Sequence, residues 1–258
     1  MRKLKFQYRT TMRFDPPVCR HSYAVRCVPV DTQAQKIQIE SRYVKPADSL
    51  NETVDGFGNH RYVGYYHDYH SEFEYEVRGV AEVESMVLQK EALHPIFKYP
   101  SKFTKHEPEV VELYRKMGPL KGDELQRAVF MMNYLYEHFE YVPGVTNIDT
   151  TAAEAIRLGK GVCQDYAHIL IALCRFGRIP ARYVVGMMIG EGATHAWVEI
   201  YYNHGWYGLD PTNNLHVDDY YIKIAHGRDY EDCVVDRGRF YGPTTQHQEV
   251  LVHVEEID

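Results

Sequence analysis

Several signals that commonly reveal a function are missing from this sequence. No apolar run in its 258 residues approaches the 18 or more that a membrane-spanning helix requires, and no signal-peptide core follows the basic N-terminus. No phosphate-binding loop, dinucleotide fingerprint or EF-hand loop is present either. We therefore expect no cofactor, no contact with a membrane and a cytoplasmic location.

Positive charge and cysteine are also scarce. Asp and Glu (36) outnumber Lys and Arg (29), and the formal net charge of −7 argues against a general nucleic-acid binder. The five cysteines show no CxxC spacing, which argues against zinc. The densest histidine group, His67-Asp68-Tyr69-His70, places its histidines on opposite faces if extended. We expect no metal site, and five free thiols in a reducing cytoplasm.

The first part of the chain has the pattern of β-strands. From Leu4 to about Val87, apolar and polar residues alternate between turn signals such as Asp15-Pro16-Pro17. This pattern predicts about six short antiparallel strands. We assign residues 1–95 to an N-terminal antiparallel β-sandwich.

The second part of the chain, residues 96–258, has a different pattern. Apolar positions at helical spacing predict a series of helices, and apolar, β-branched segments near residues 181–189 and 195–202 predict strands after them. The predicted helices begin near Pro108, Asp123, Thr151 and Val162. Helices followed by an antiparallel sheet define an α+β domain.

Cys163 stands in an unusual position for a free cysteine. It follows Gly159-Lys160-Gly161-Val162 and falls in the first turn of a predicted helix. The unpaired N–H groups and positive dipole end of a helix favour a thiolate, and the same N–H groups can bind an oxyanion. A free cysteine is more often a small buried hydrophobic residue, which is how we interpret Cys174. Cys163 is the candidate nucleophile.

A thiolate nucleophile needs a base and a group that orients the base. His195 opens one predicted strand and Asp210 closes the next. If the two strands form a hairpin about Asn203-His204-Gly205, Asp210 lies beside or just before His195 in the register. Neighbouring strands are about 4.8 Å apart, so the carboxylate can reach the imidazole. The three residues then have the order Cys, His, Asp of a catalytic triad.

The sequence also resembles the transglutaminase-like superfamily, in particular its bacterial transglutaminase-like and cysteine protease branch with an N-terminal β domain. The resemblance runs from about Thr150 to Cys233 and rests on three blocks, GVCQDYAHILIALCRFGRIPARYVVG, THAWVEIYYNHGWYGLDPTNN and DYYIKIAHGRDYEDC. It implies a papain-like core over residues 96–258. It also implies that Cys163 is the nucleophile, His195 the general base and then acid, and Asp210 the orienting residue.

Five further residues are candidates for substrate binding, each with a simpler alternative. Asp165 either holds a loop or a substrate amine, or only stabilises the helix dipole. Trp197 shares a strand face with His195 and either roofs the site or fills the core. Gln164 follows the nucleophile, and Tyr141 and Thr194 are placed to line the cleft.

These residues predict cysteine-dependent acyl chemistry on a peptide or protein amide. Water as the acyl acceptor gives a peptidase or amidase, which we favour, and an amine gives a transglutaminase. A non-catalytic peptide-binding module and the cleavage of glycan-linked amides are the alternatives. The sequence leaves open the substrate, the oligomeric state and the role of the β domain.

Overall fold

The computed structural model of the protein describes residues 1–85 and 88–258, so the predicted end of the strand-rich region at Val87 lies outside the described residues. The strands are β1 (Arg2–Val25), β2 (Gln35–Lys45), β3 (Ser49–Val54), β4 (His60–Tyr66), β5 (His70–Val83), β6 (Gln89–Lys90), β7 (Glu140–Tyr141), β8 (Lys160–Gly161), β9 (Ala181–Met188), β10 (Gly190–Gly192), β11 (His195–Tyr202), β12 (Gly205–Asp210), β13 (Leu215–His216), β14 (Tyr221–Gly227), β15 (Asp236–Tyr241) and β16 (Thr245–Ile257). The helices are α1 (Pro108–Lys116), α2 (Glu124–His138), α3 (Ala152–Leu158), α4 (Cys163–Phe176) and α5 (Tyr230–Cys233), and a 3₁₀ turn spans Pro95–Lys98.

The long strand β1 organises the first sheet. Its first half pairs with β5 and β16, and its second half pairs with β4 and β15. The partners change around Asp15-Pro16-Pro17, where proline offers no N–H for a regular ladder. The prediction of a turn between two short strands at this point is therefore wrong, because the chain continues as one strand. The two parts of the sheet face each other, with the Tyr23 and Phe73 rings 4.5 Å apart.

The same sheet takes three of its eight strands from the second half of the chain. β15 and β16 pair directly with β1, and β10 pairs with β16. The predicted N-terminal sandwich is thus completed by residues 236–257, which local sequence pattern could not reveal because the pairing is long-range. The division of the chain at residue 95 stays a prediction, and the strand pairing crosses it.

The second sheet has the order β13-β12-β11-β9-β14, with β6 attached to β12. Helix α4 packs against β9 and β11 on one side and against α1, α2 and α3 on the other. It is apolar on nearly every face and therefore buried. The predicted α+β class is confirmed, with curled antiparallel sheets around a few helices. Among the described residues, no helix has the length and apolar character needed to span a membrane.

Candidate active site

Cys163 opens helix α4 and is partly exposed, whereas the other four cysteines are buried. The strand residue before the helix, Gly161, has no room for a side chain, since a Cβ there would lie 2.4 Å from Asp165 Oδ2. The absence of a side chain at Gly161 therefore makes room for the Asp165 carboxylate.

The predicted hairpin brings His195 and Asp210 together. β11 and β12 pair with Val198 opposite Leu209 and Tyr202 opposite Gly205, in the expected register. His195 Nε2 lies 2.8 Å from Asp210 Oδ2, and the Asp210 side chain is fully buried. The acid and the imidazole therefore form a pair at the start of β11.

Asp210 is held by more partners than the sequence indicated. Its Oδ2 accepts hydrogen bonds from the Tyr221 hydroxyl and Asn213 Nδ2, both at 2.8 Å. Its Oδ1 accepts from the backbone N–H groups of Thr212 (2.9 Å) and Asn213 (3.3 Å). Burial alone would raise the pKa of Asp210, but the bonds from His195, Asn213 and Tyr221 lower it overall. The carboxylate is a fixed negative charge.

Sequence reasoning missed Asn213 and Tyr221 as functional residues. Asn213 lies in the tight turn after Asp210, and its side chain folds back in the manner typical of Asn in turns. This turn chemistry was a usable signal. Tyr221 begins β14, which pairs with β9 rather than β12, so nothing local to Asp210 pointed to it.

The electrostatics favour the protonated form of His195. Burial lowers the pKa of His195, but the hydrogen bond to Asp210 and the neighbouring Cys163 raise it overall to about 10. A histidine of this pKa holds its proton at neutral pH and stabilises a thiolate beside it. The arrangement is suited to a nucleophile with a protonated imidazole ready to act as an acid.

Trp197 lies beneath the His195–Asp210 pair. Its ring is 6.4 Å from the His195 ring and 5.4 Å from the Tyr221 ring, and it exposes 2% of its surface. The structure gives Trp197 a packing role, in a small cluster with Val184 and Tyr221. This burial matches the core-filling alternative for Trp197, and its contact with substrate stays a prediction.

Gln164 and Asp165 hold the loop in front of the helix. Asp165 Oδ2 accepts from the Val162 N–H (2.8 Å) and from the Thr146 hydroxyl (2.7 Å). Burial raises the pKa of Asp165, against those hydrogen bonds. Gln164 Nε2 donates to the Ile148 carbonyl at 3.2 Å. Both side chains connect loop 142–150 to the nucleophile, which matches the loop-holding alternative for Asp165.

Tyr141 lies near Cys163, and Thr194 is next to His195 in the chain. Tyr141 pairs with Gly161 in a short parallel ladder and is 51% exposed. Burial and the nearby Cys163 raise the pKa of Tyr141. Thr194 directly precedes His195 and is half-buried. Their substrate contacts stay predictions.

The remaining histidines lie apart from the pair. His168 is buried on α4, where burial above all lowers its pKa to about 3 and where its Nε2 accepts the Tyr230 N–H at 3.1 Å. His21 Nδ1 lies 3.2 Å from His70 Nε2, and His67 bonds to Tyr65 instead. In the described ranges, no group of three or more His, Cys, Asp or Glu side chains is arranged to hold a metal ion.

Family models match both parts of the chain. Residues 4–82 match the bacterial transglutaminase-like N-terminal region, and residues 112–211, which contain Cys163, His195 and Asp210, match the transglutaminase-like superfamily. The chain therefore carries a transglutaminase-like core and a bacterial transglutaminase-like N-terminal region. This result agrees with the resemblance that the three sequence blocks carry.

Individual relatives extend this comparison. An uncharacterised protein of Mycobacterium leprae is 27% identical over 239 residues, which is 80% of this chain and 85% of the relative. One from Mycobacterium tuberculosis is 39% identical over 123 residues, but these cover 42% of this chain and 39% of that protein. The crystal structure of a candidate cysteine protease from Cytophaga hutchinsonii has a TM-score of 0.83 and 24% identity, covering all of this chain and 91% of that one. This last similarity is one of fold.

Proposed function

We propose that this protein hydrolyses a peptide or protein amide through an acyl-enzyme, with Cys163 as nucleophile, His195 as acid and base, and Asp210 as the orienting residue. The observation that carries the proposal is the 2.8 Å pair of His195 and Asp210, next to a partly exposed cysteine at a helix start. The transglutaminase-like core supports cysteine-based catalysis in general.

The first half-reaction forms a thioester. The Cys163 thiolate attacks the carbonyl carbon, and the C=O electron pair moves to oxygen, where the first-turn N–H groups of α4 are placed to stabilise the oxyanion. Collapse of this intermediate breaks the C–N bond. The His195 imidazolium gives its proton to the departing nitrogen, so the amine leaves neutral and the imidazole is left as a base.

The second half-reaction consumes water. The His195 imidazole takes a proton from water as the oxygen attacks the thioester carbon, and collapse breaks the C–S bond. The products are a carboxylic acid, the Cys163 thiolate and the His195 imidazolium, which restores the starting pair. Throughout the cycle the Asp210 carboxylate keeps the ring oriented through Nε2.

Exposure supports water as the acceptor. Cys163 is partly exposed, and Tyr141, which neighbours it, is half-exposed. A site open to solvent does not exclude water from the thioester, and selective transfer to an amine requires that exclusion. We therefore propose hydrolysis as the main outcome, with transfer to an amine as the result that would revise it.

The first experiment measures thiol reactivity. We expect iodoacetamide to label Cys163 of the native protein at least tenfold faster than Cys174, read by peptide mass spectrometry, because Cys174 is buried and burial raises its pKa to about 12. A Cys174→Ala variant is the matched control and should label at Cys163 like wild type. Equal labelling of the two thiols would contradict an activated nucleophile.

The second experiment identifies the acceptor. A peptide and amide library is incubated with wild type and with Cys163→Ala, each with and without an added primary amine. Free acid as the product in both conditions supports hydrolysis, and an amine-containing product shows transfer instead. Turnover that is unchanged in Cys163→Ala would rule out the thiol mechanism. Specific peptide binding without turnover by wild type would indicate a non-catalytic module.

A further inference from the structure

A cavity of about 500 Å³ lies between the inner face of the β1 sheet and the helical core. Met12 and Phe240 form part of its wall on the sheet side, and Phe103, Ile148 and Tyr230 form part of its wall on the core side. Gln246 and Gln248 of β16 also line it. The lining is therefore mixed, with apolar side chains beside charged and amide groups, at the junction of the two parts of the molecule.

One carboxyl group on the lining has an incomplete set of partners. Asp236 begins β15, and its Oδ2 is buried with no hydrogen-bond partner among the described residues. Burial raises the pKa of Asp236 to about 7, and the Tyr75 hydroxyl opposes that rise. A buried carboxylate without a partner raises the free energy of the folded protein. A hydrogen-bond donor or a cation that reached Asp236 would therefore be bound favourably, because it would supply the missing interaction.

The other charges at the cavity already compensate one another. Lys102 and Arg237 both pair with Glu231, at 2.8 and 2.6 Å, and Lys102 also lies 3.7 Å from Asp149. His21 is neutral at physiological pH, because burial and the neighbouring His70 lower its pKa to about 4. Asp236 is thus the uncompensated ionisable group of the lining.

The core side of the cavity rests on the nucleophile helix. The Ile148 carbonyl accepts the bond from Gln164, the residue after Cys163. The Phe103 ring stacks on His168 of α4 with centroids 5.1 Å apart, and the Tyr230 N–H donates to the same histidine. Ile148 of loop 142–150 thus links the lining of the cavity to the residue that follows Cys163.

We propose that this cavity receives a substrate side chain with an apolar stem and a cationic end, the chemistry of lysine or arginine. The stem packs on the apolar wall, and the cation meets the Asp236 carboxylate. The inference rests on the proposed amide hydrolysis, because it concerns the substrate of that reaction. The cavity would add a preference for a lysine or arginine side chain in the substrate, and the Cys163–His195–Asp210 group does not determine that preference.

The test compares three peptide amides that differ at one position, with lysine, norleucine or glutamate there, scanned through the positions on both sides of the scissile bond. For wild type we expect kcat/KM at one position to be at least tenfold higher with lysine than with norleucine, and lowest with glutamate. For Asp236→Asn we expect lysine and norleucine to be equal, with the norleucine rate kept. Equal rates for lysine and norleucine at every position in wild type would overturn the proposal.

The same design separates this proposal from the catalytic one. If wild type cleaves norleucine peptides as fast as lysine peptides, hydrolysis stands and the cavity proposal fails. If no peptide is cleaved and Cys163 is not preferentially alkylated, the catalytic proposal fails. If Asp236→Asn does not fold, the binding measurement below still decides the cavity proposal.

Direct binding to the wild-type protein needs no variant. Calorimetry is run with hexylamine and with hexanol, its neutral counterpart, and we expect the amine to bind at least tenfold more tightly at pH 8. The affinity for hexylamine should fall as pH drops from 8 to 6, when Asp236 becomes protonated. Equal affinity for the amine and the alcohol at pH 8 would overturn the proposal.

Burial and hydrogen bonding move the pKa values of several groups around Asp236 away from that range. Burial lowers the pKa of His21, and it raises the pKa of Tyr8, Tyr75 and Cys27, the last to about 12. At the rim, hydrogen bonds lower the pKa of Glu231 and raise that of Lys102, and Asp149 and Arg237 complete the charged set. A change of affinity between pH 6 and 8 therefore reports on Asp236.

Discussion

Two buried carboxylates in different regions of this protein have opposite surroundings. Asp210, at the end of β12, receives hydrogen bonds from His195, Tyr221, Asn213 and the backbone, and its pKa lies below the ordinary value. Asp236, at the junction of the sheet and the core, has an oxygen without a partner among the described residues and a pKa raised to about 7. Both groups are removed from solvent, so hydrogen bonding decides the difference.

The protein itself stabilises the negative charge of Asp210, whereas it leaves that of Asp236 without a compensating partner among the described residues. Asp210 needs no ligand to remain ionised, which suits the proposed role of this residue in orienting His195. Asp236 becomes fully ionised at neutral pH only if another group compensates it. Four variants test this contrast.

The largest effect is expected for Asp210→Ala. Removal of the carboxylate leaves His195 without its orienting partner, so kcat should fall on the order of 10³–10⁴-fold with little change in KM. Asp210→Asn is the matched variant and should retain more activity, because its amide oxygen still accepts from His195. Steady-state kinetics on a peptide amide measure both, and circular dichroism checks folding. Full activity in Asp210→Ala would contradict the assigned role.

Asp236→Asn should alter how stability depends on pH. A carboxyl with its folded pKa raised from 3.8 to about 7 keeps a proton in the native state that the unfolded state has lost, so wild type loses stability as pH rises between these values. The loss is about 1.4 kcal/mol per pH unit. In urea unfolding at pH 5, 6 and 7, the free energy of unfolding of Asp236→Asn should rise relative to that of wild type by this amount per pH unit. Parallel curves would show that Asp236 is not protonated in the native state.

Tyr221→Phe tests one hydrogen bond to Asp210. Loss of the 2.8 Å bond should raise the pKa of Asp210 and lower kcat about tenfold, with KM unchanged. The acidic limb of the pH–rate profile should move to higher pH. Tyr202→Phe is the control, since its hydroxyl bonds Asp123 instead. If the two variants behave alike, Tyr221 has no positioning role.

The smallest effect is expected for Tyr75→Phe, the counterpart of Tyr221→Phe in the other region. The Tyr75 hydroxyl lowers the pKa of Asp236, so its removal should raise that pKa further, by less than about one unit. The pH midpoint of hexylamine binding measures this shift. Tyr8→Phe is the control, because Tyr8 bonds Tyr75 rather than Asp236. A downward shift in Tyr75→Phe would contradict the assigned contact.

The part of the site that could be predicted is the part that local structure determines. The helix of Cys163 follows from its glycines and the apolar run after it, and it begins one residue after the predicted Val162. His195 and Asp210 share a hairpin, so the positions of the strands and the turn were enough to predict their proximity. Two strands joined by a short turn can pair in few ways, so their spacing in the sequence is enough to predict which residues lie close together.

The rest depends on contacts between residues far apart in the chain. Tyr221 reaches Asp210 from a strand on the far side of the sheet, and Asp236 pairs with Val25, more than 200 residues earlier. Alternation predicts that a segment is a strand but does not identify its neighbour. For the same reason, the pattern in residues 4–87 predicted a self-contained sandwich, whereas β15 and β16 complete it.

The pairing of β10 with β16 has a consequence for the order in which the protein acquires activity. β10 lies just before His195, and Gly190–Gly192 pair with residues 252–254, with Glu191 and His253 3.2 Å apart. During ribosomal synthesis, the thiol, the imidazole and the carboxylate all emerge before the strand that fixes this loop. A nascent chain thus carries every reacting group while the loop before its base still lacks that support. We expect the proposed hydrolysis to begin only when β16 has docked onto β10.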